Sequence, residues 1–242
     1  MRIAVISDIH ANWHALEAVL ADLDGESPDE VWCLGDLVGY GPQPNRCTTE
    51  TRGRVDFCLV GNHDLAAIGH LDIADFSPDA ATSARWTAEE LKDEPRGFLE
   101  SLSPQGERDS VQMFHGSPRD PVWEYVLSES AARAALEFTT APIVLVGHSH
   151  IPIALRLSDG ALAGGLARGG SELDLGDGRW LINPGAVGQP RDGDPRAAYL
   201  MLDLDAHRAH FRRVPYDVEA TQAEIRENGL PEELAARLAV GE

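Results

Sequence analysis

Seven side chains of this 242-residue sequence stand in polar clusters that follow short apolar runs, and they are of the types that bind metal ions. They are Asp8, His10, Asp36, Asn62, His115, His148 and His150. Carboxylate, carboxamide and imidazole groups without a thiolate suit borderline divalent ions such as Mn, Fe, Co, Ni or Zn better than Mg or Ca. Seven ligands exceed the four of a tetrahedral site, whereas two ions that share one carboxylate and a water would use them all. The sequence therefore predicts two divalent metal ions as cofactors, with Mn as the first choice.

Two of these candidates, His148 and His150, stand one residue apart in the segment GHSH, directly after the apolar run 143–146. If the strand continued through them, their side chains would share one face. Gly147 marks the end of the strand, however, and frees the backbone to turn. From the residues alone, the pair could bind one ion, bind two ions or fill a polar corner.

Short apolar runs precede the candidate ligands, and they predict the strands that must position them. The runs cover residues 3–6, 31–34, 56–60, 110–114, 143–146 and 180–182. Near-continuous apolar runs are typical of strands covered on both faces, and helical stretches between the first few indicate parallel βαβ units. In such sheets, ligands bind at the carboxyl ends of the strands. We therefore expect the polar clusters to meet at one rim.

The sequence also predicts the first helix and the antiparallel strands of the second half of the chain. Asn12 is a predicted N-cap, and an apolar stripe follows at Leu16, Val19, Leu20 and Leu23. After residue 150, turn signals at Asp159-Gly160 and Asp177-Gly178 predict antiparallel hairpins. No linker divides the sequence, so we expect one domain over 1–242, with a helical insert at 65–102 and C-terminal helices at 217–240. An apolar face on those last helices could pack on the same chain or on a second copy, which leaves the oligomeric state open.

The charge balance restricts the partners. Forty acidic residues against twenty basic residues give a net charge of -20. Such a field repels polyanions, so we expect no stable nucleic-acid binding, although a bound cation could attract a small anion. The sequence has no apolar run of transmembrane length and no signal peptide, which predicts a cytoplasmic protein without a membrane partner.

Five motifs in order carry a resemblance to a known family: DIH at 8–10, GD at 35–36, GNHD at 61–64, His115 after a strand, and GHSH at 147–150. Together they resemble the calcineurin-like metallophosphoesterase superfamily. SDIHAN at 7–12 and NPGAVGQPRDGDPR at 183–196 are most similar to its small bacterial phosphodiesterase-like branch. Each motif alone is weak, but the ordered set is specific because each member follows a predicted strand. The resemblance implies an α/β fold, a four-layer αββα sandwich of two mixed β-sheets flanked by helices.

The resemblance also implies roles. Asp8, His10 and His150 would bind one metal, Asn62, His115 and His148 the other, and Asp36 would bridge them. His63 would be catalytic, protonating the leaving oxygen or stabilising its charge, with Asp64 holding its ring. The implied reaction is hydrolysis of a phosphoester, most simply a phosphodiester or small nucleotide, by a metal-bridging hydroxide.

One motif departs from the relatives that act as protein phosphatases or diadenosine tetraphosphate hydrolases. These carry GDxVDRG and GNHE, whereas residues 35–41 here read GDLVGYG, and GNHD replaces GNHE. Gly39 and Tyr40 thus replace the acid and the phosphate-clamping arginine, so we expect the substrate contacts at Asn12 and Arg191 instead. Segment 65–102 and a loop through Trp123 and Tyr125 would wall the site. The alternatives are a phosphomonoesterase, a nucleotide pyrophosphatase and a non-catalytic metal-binding scaffold.

Overall fold

The computed structural model describes residues 1–242, the whole chain. Its twelve strands are β1 (Arg2–Ile6), β2 (Glu30–Cys33), β3 (Phe57–Cys58), β4 (Gln105–Arg108), β5 (Val111–Phe114), β6 (Ile143–Val146), β7 (Ile153–Ser158), β8 (Ala161–Leu166), β9 (Glu172–Asp174), β10 (Arg179–Asn183), β11 (Ala197–Asp203) and β12 (Arg208–Val214). The helices are α1 (Trp13–Glu26), α2 (Pro44–Arg54), α3 (Asn62–Ala67), α4 (Pro78–Glu90), α5 (Asp93–Glu100), α6 (Glu129–Phe138), α7 (Val218–Glu227), α8 (Glu232–Ala236) and a 3-10 helix (Arg237–Ala239).

The strands form two six-stranded mixed sheets, in the orders β3-β2-β1-β11-β12-β9 and β4-β5-β6-β10-β7-β8. Strands β1, β2 and β3 pair in parallel, as do β5, β6 and β10, and the strands after residue 150 add antiparallel pairs to both sheets. The expected αββα sandwich of two mixed sheets with flanking helices is confirmed.

Alternation along the strands sorts the side chains into separate core layers. On β1, Ile3 and Val5 pack between the two sheets, whereas Ala4 and Ile6 face the layer of α1 and α2. A third cluster joins the other face of the second sheet to α6. Because successive side chains of a strand point to opposite faces, a strand covered on both faces must be apolar throughout.

Helix α1 begins as the sequence predicts. The Oδ1 atom of Asn12 accepts a hydrogen bond from the backbone N–H of Ala15 at 3.2 Å, and the predicted apolar stripe is buried. The helix ends at Glu26, where Ser27 adopts a left-handed conformation with φ of 49°. None of the helices has the length and apolar character that crossing a bilayer requires.

The helices at the end of the chain pack onto the body of the same chain. Leu230, Leu234 and Leu238 are buried in a small cluster against which Tyr40 and Trp86 pack. The apolar face of these helices is therefore covered within one chain. It packs against Tyr40, which lies four residues after Asp36.

Candidate metal centre

The polar motifs converge at the carboxyl ends of the parallel strands in both sheets. Loops after β1, β2, β3, β5 and β6 bring the seven candidate ligands together. Backbone hydrogen bonds cross from loop to loop, including Asp8 N–H to the Gly35 carbonyl at 3.0 Å and Gly147 N–H to the His115 carbonyl at 2.9 Å. The rim is therefore assembled from both halves of the sandwich.

Two groups of potential ligands share one carboxylate. Asp8, His10, Asp36 and His150 form one group, and Asp36, His115 and His148 form the other; in each, the ligand atoms lie within 4.8 Å of one another. All of these side chains are buried. Asn62 borders the second group, since its Oδ1 lies 3.1 Å from His115 Nε2. The structure thus separates His148 from His150, with Asp36 between the two groups.

Three of the imidazoles are held from behind by backbone carbonyl groups, which fixes which ring nitrogen carries the proton. The Nδ1 atoms of His10, His115 and His150 lie 3.1, 2.9 and 2.6 Å from the carbonyl oxygens of Val38, Leu34 and Gln189. Because a carbonyl only accepts, each Nδ1 carries a hydrogen, and the neutral rings of His10 and His150 turn a bare Nε2 towards the centre. The Nε2 atoms of His10 and His150 approach to 2.9 Å. Two facing lone pairs suit a cation between them.

Several buried polar atoms at the centre lack a protein partner. Asp36 Oδ2 and His148 Nε2 are both buried without a hydrogen bond. Burial raises the pKa of Asp8 to about 7 and lowers the pKa of His148 to about 3, because neither charged form is solvated there. Donor atoms of this kind, buried and unsatisfied, fit divalent cations that would compensate them.

His115 differs from the other imidazoles. Burial lowers its pKa, but the charge of Asp36, whose Oδ2 lies 3.4 Å from His115 Nε2, outweighs burial and raises the pKa to about 10. Conversely, although burial favours the neutral Asp36 carboxyl, its histidine neighbours hold its pKa well below the usual range. A metal ion at this position would displace the His115 proton, so its binding would release a proton to solvent.

The loops that carry the ligands are conformationally strained. Asp8, His10, Asp36, His148 and His150 all have φ between 49° and 64°, in the left-handed region that residues with a side chain rarely occupy. Such conformations cost of order 1–3 kcal/mol each and persist where the surroundings impose them, commonly at functional sites. Their concentration in two short turns and GHSH marks this rim as the functional region.

Glycine at the start of GNHD has a steric reason. A Cβ atom at Gly61 would collide with Asp36 Oδ1, the oxygen that accepts the backbone N–H of His63 at 2.9 Å. The close approach lets the helix N-terminus at α3 pack on the shared carboxylate. Asp36 therefore accepts a hydrogen bond from the protein through Oδ1, whereas its Oδ2 has no protein partner and is available to a metal ion.

His63 lies beside the centre, and its surroundings are apolar. Its ring packs at 4.3 Å from Tyr40 and 4.8 Å from Phe76, measured between ring centroids. Its Nδ1 is buried without a partner, and burial lowers its pKa to about 4. Gly39 makes room for this ring, because a Cβ there would stand 2.7 Å from His63 Nδ1. The position of the His63 ring therefore explains why residue 39 is a glycine and not the acid of the phosphatase motif.

Asp64 is hydrogen-bonded to the backbone and not to the His63 ring. Its two oxygens accept the backbone N–H groups of Val38 and Gly61, each at 3.0 Å, and His63 Nδ1 has no hydrogen-bond partner. Asp64 accepts the backbone N–H of the N-cap residue Gly61 at the start of α3 and ties that helix to the loop after Asp36. Its function is to hold two ligand-bearing loops together.

Asn12 is buried and hydrogen-bonded to other protein groups. Its amide donates to the Gly188 carbonyl at 2.8 Å, and its oxygen caps α1 and accepts from the Thr221 hydroxyl at 3.0 Å. The buried side chain is thus occupied by protein partners, and the expected substrate contact is not supported there.

Arg191 faces the centre. Its Nη2 donates to Gln189 Oε1 at 2.7 Å, its guanidinium lies 5.7 Å from the Tyr40 ring centroid, and its Nε is buried without a partner. The loop is fixed from behind, because the buried Arg213 pairs with Asp192 and donates to the Arg196 carbonyl at 3.0 Å. The segment DGD at 192–194 therefore serves as an anchored turn.

A cleft of about 660 Å³ opens beside the ligands. Its walls include Tyr40, Asn62, His63, Asp75, Phe76, Trp123, Tyr125, Arg191, Arg237 and Glu242. Trp123 meets Phe76 edge-on at 5.6 Å, and Tyr125 stacks on the ligand candidate His148 at 3.8 Å. The structure thus places the expected loop and segment 65–102 on one side. No sequence signal pointed to Arg237, which lies in a helix without a motif.

Comparisons with known proteins agree with this geometry. The sequence model of the calcineurin-like phosphoesterase superfamily domain matches residues 1–207. An uncharacterised protein of Methanocaldococcus jannaschii is 38% identical over 244 residues, which cover 99% of this chain and 98% of the relative. The crystal structure of a metallophosphoesterase from Sphaerobacter thermophilus is 44% identical, with a TM-score of 0.90 over 100% of this chain and 99% of that one.

A more distant structure, of a hypothetical protein from Pyrococcus horikoshii, shares the fold at 20% identity, with a TM-score of 0.81 over 100% of this chain and 98% of the other. The family match covers every candidate ligand, from Asp8 to His150. The ordered motifs, the shared rim and all strands of the two sheets except β12 lie within it. The chain therefore belongs to the calcineurin-like phosphoesterase superfamily.

Proposed function

We propose that this chain is a hydrolase that binds two divalent metal ions and cleaves a small phosphodiester or nucleotide. One observation supports two ions above all: Asp36 belongs to both ligand groups and has one buried oxygen without a protein partner. A carboxylate shared in this way is the arrangement that a pair of metal ions requires.

The residues divide between the two positions. Asp8, His10 and His150 would hold one ion, Asn62, His115 and His148 the other, and Asp36 both. When bound, the ions would supply Lewis acidity that activates water and neutralises charge on a phosphate. Imidazole, carboxamide and carboxylate ligands favour Mn, with Fe, Ni, Co or Zn as alternatives.

The chain's own side chains would bind and orient the ester. Arg191 would donate to phosphate oxygens across the cleft, because its guanidinium borders the ligands and has no carboxylate partner. His63 would stand beside the leaving oxygen and donate to it as charge develops. Phe76 and Trp123 would exclude water from that side of the cleft.

A small substrate fits the overall charge. With a net charge of -20, the chain repels a long polyanion, whereas a short ester could reach the local positive charge of Arg191 and the bound ions. We accordingly propose a cytoplasmic enzyme without nucleic-acid or membrane partners.

The test measures metal content and turnover together. Protein loaded separately with Mn, Ni, Co, Zn or Mg should bind two ions per chain and hydrolyse bis-p-nitrophenyl phosphate faster than p-nitrophenyl phosphate. Asp36→Asn should lose metal and turnover, whereas Asp177→Asn, which makes the same change on an exposed turn, should lose neither.

Other results of these assays would indicate a different function or metal stoichiometry. Two bound ions without hydrolysis of either ester would leave the metal-binding scaffold as the function. Faster hydrolysis of the monoester would make the chain a phosphomonoesterase. One ion per chain would refute the shared role of Asp36.

A further inference from the structure

Arg237 borders the same cleft from the C-terminal side, and its guanidinium is unpaired. No carboxylate lies within ion-pair distance of it, and its Nε is buried without a hydrogen-bond partner. Other exposed arginines are either paired or distant from the cleft: the guanidinium groups of Arg52 and Arg226 lie 2.9 and 2.6 Å from carboxylate oxygens of Glu94 and Glu232, and the unpaired Arg85 and Arg168 do not line the cleft. In a chain with twice as many acidic as basic residues, a guanidinium left free at the cleft is available for an anion.

The packing holds Arg237 in place. The 3-10 helix that contains it follows directly on α8, and its neighbour Leu238 is buried in the C-terminal cluster that packs against Tyr40. Three backbone N–H groups, those of Val240, Gly241 and Glu242, donate to the Arg237 carbonyl. The main chain is thus fixed, while the side chain makes no bond that substitution would break.

Tyr40 lines the cleft together with Arg191 and Arg237. The Arg191 guanidinium lies 5.7 Å from the Tyr40 ring centroid, and Arg237 lines the same cleft as both residues. The cleft therefore has two positively charged positions. Arg191 lies near the candidate ligands, and Arg237 lies on the C-terminal side of the cleft. Asp75 and Glu242 also line this cleft.

We propose that Arg237 is a specificity-determining residue that binds a second phosphate on the substrate, next to the phosphoester held at Arg191. This proposal rests on the proposed function. It assigns the substrate class as a phosphodiester whose alcohol portion carries a further phosphate. Arg237 lies beyond residue 207, where the family match ends, so this preference would belong to the C-terminal helices and not to the shared domain.

Two chromogenic esters that differ in one group test the proposal. Thymidine 5′-(p-nitrophenyl phosphate) and its 3′-phosphorylated form release the same p-nitrophenol from the same linkage. We expect the metal-loaded protein to prefer the 3′-phosphorylated ester by about 10-fold in kcat/KM, as for one hydrogen-bonded charge pair. Arg237→Gln should abolish the preference by slowing only that ester, and Arg237→Lys should retain part of it.

Arg226→Gln is the matched control, because it removes the same charge from the nearby helix α7 at an exposed, paired position. It should leave the preference intact. Calorimetric titration gives a second readout: thymidine 3′,5′-bisphosphate should bind about 10-fold more tightly than thymidine 5′-phosphate to the wild type and to Arg226→Gln, and equally to Arg237→Gln. Unchanged circular dichroism would verify that the variants are folded.

The outcomes separate the two proposals. If the wild type hydrolyses bis-p-nitrophenyl phosphate but shows no preference for the second phosphate, or keeps the preference in Arg237→Gln, this inference is overturned and the proposed function stands. If it hydrolyses none of the esters, the proposed function itself fails.

Discussion

Asp64 offers a decisive test, because its sequence motif and its contacts assign it different roles. The motif places it beside His63 as a partner of the ring, whereas the structure shows its oxygens on the backbone N–H groups of Val38 and Gly61. Val38 follows Asp36 by two residues, and Gly61 precedes Asn62. Asp64→Ala should therefore loosen both ligand loops.

The magnitude follows from the two lost acceptors. Each N–H is buried, and an unsatisfied buried donor costs about 1–3 kcal/mol, so losing both acceptors in Asp64→Ala should lower the free energy of unfolding by about 2–6 kcal/mol. Asp64→Asn keeps one acceptor oxygen and turns an NH₂ group towards the other donor, so its cost should be intermediate. Asp217→Ala is the control: Asp217 caps α7 through a single 2.9 Å bond to Ala220, and its loss should cost about 1 kcal/mol.

Urea denaturation of the metal-free protein measures the stability change, and calorimetric titration with Mn measures metal affinity. Asp64→Ala should weaken both, and Asp217→Ala should leave metal affinity unchanged. The same substitution is then made in a His63→Ala background. If Asp64 acts on the loops, its full cost in stability and metal affinity persists without the ring.

The reasoning would be refuted if Asp64→Ala left stability and metal affinity unchanged but slowed turnover, and if that slowing vanished in the His63→Ala background. Such a result would return Asp64 to the role of a partner for the ring.

Three other substitutions test the cleft. His63→Ala should retain its metal content, measured by elemental analysis, and lose about 10²–10⁴ in turnover; full activity would remove His63 from the reaction. Gly39→Ala should reduce turnover as well, because its φ is 86° and its Cβ would displace the His63 ring, whereas Gly229→Ala, at φ of 68° in open space, should cost stability alone. Arg191→Gln should lower kcat/KM by about 10-fold or more with metal content intact, and unchanged kinetics would contradict its phosphate contact.

Much of the fold could be predicted because its signals are local. Each apolar run marks a strand buried on both faces, and period 3.6 in the stripe after Asn12 marks α1. The candidate ligands were equally visible, since parallel strands end at a common edge and the residues that follow them must meet there. His148 and His150 illustrate the limit of this reasoning, because adjacency in GHSH alone did not say whether they share an ion.

Contacts between distant segments were decided only by the tertiary structure. Asp64 stands next to His63 in the chain but bonds to Val38, and Asn12 is held by Gly188 and Thr221 instead of facing a substrate. Arg237 reaches the cleft only because the C-terminal helices fold back behind Tyr40. The sequence by itself determined the strands, the residue types at their ends and hence the metal chemistry, because backbone periodicity and ligand type are properties of short segments. The partners of each side chain depend on how those segments pack, and that packing is a property of the whole chain.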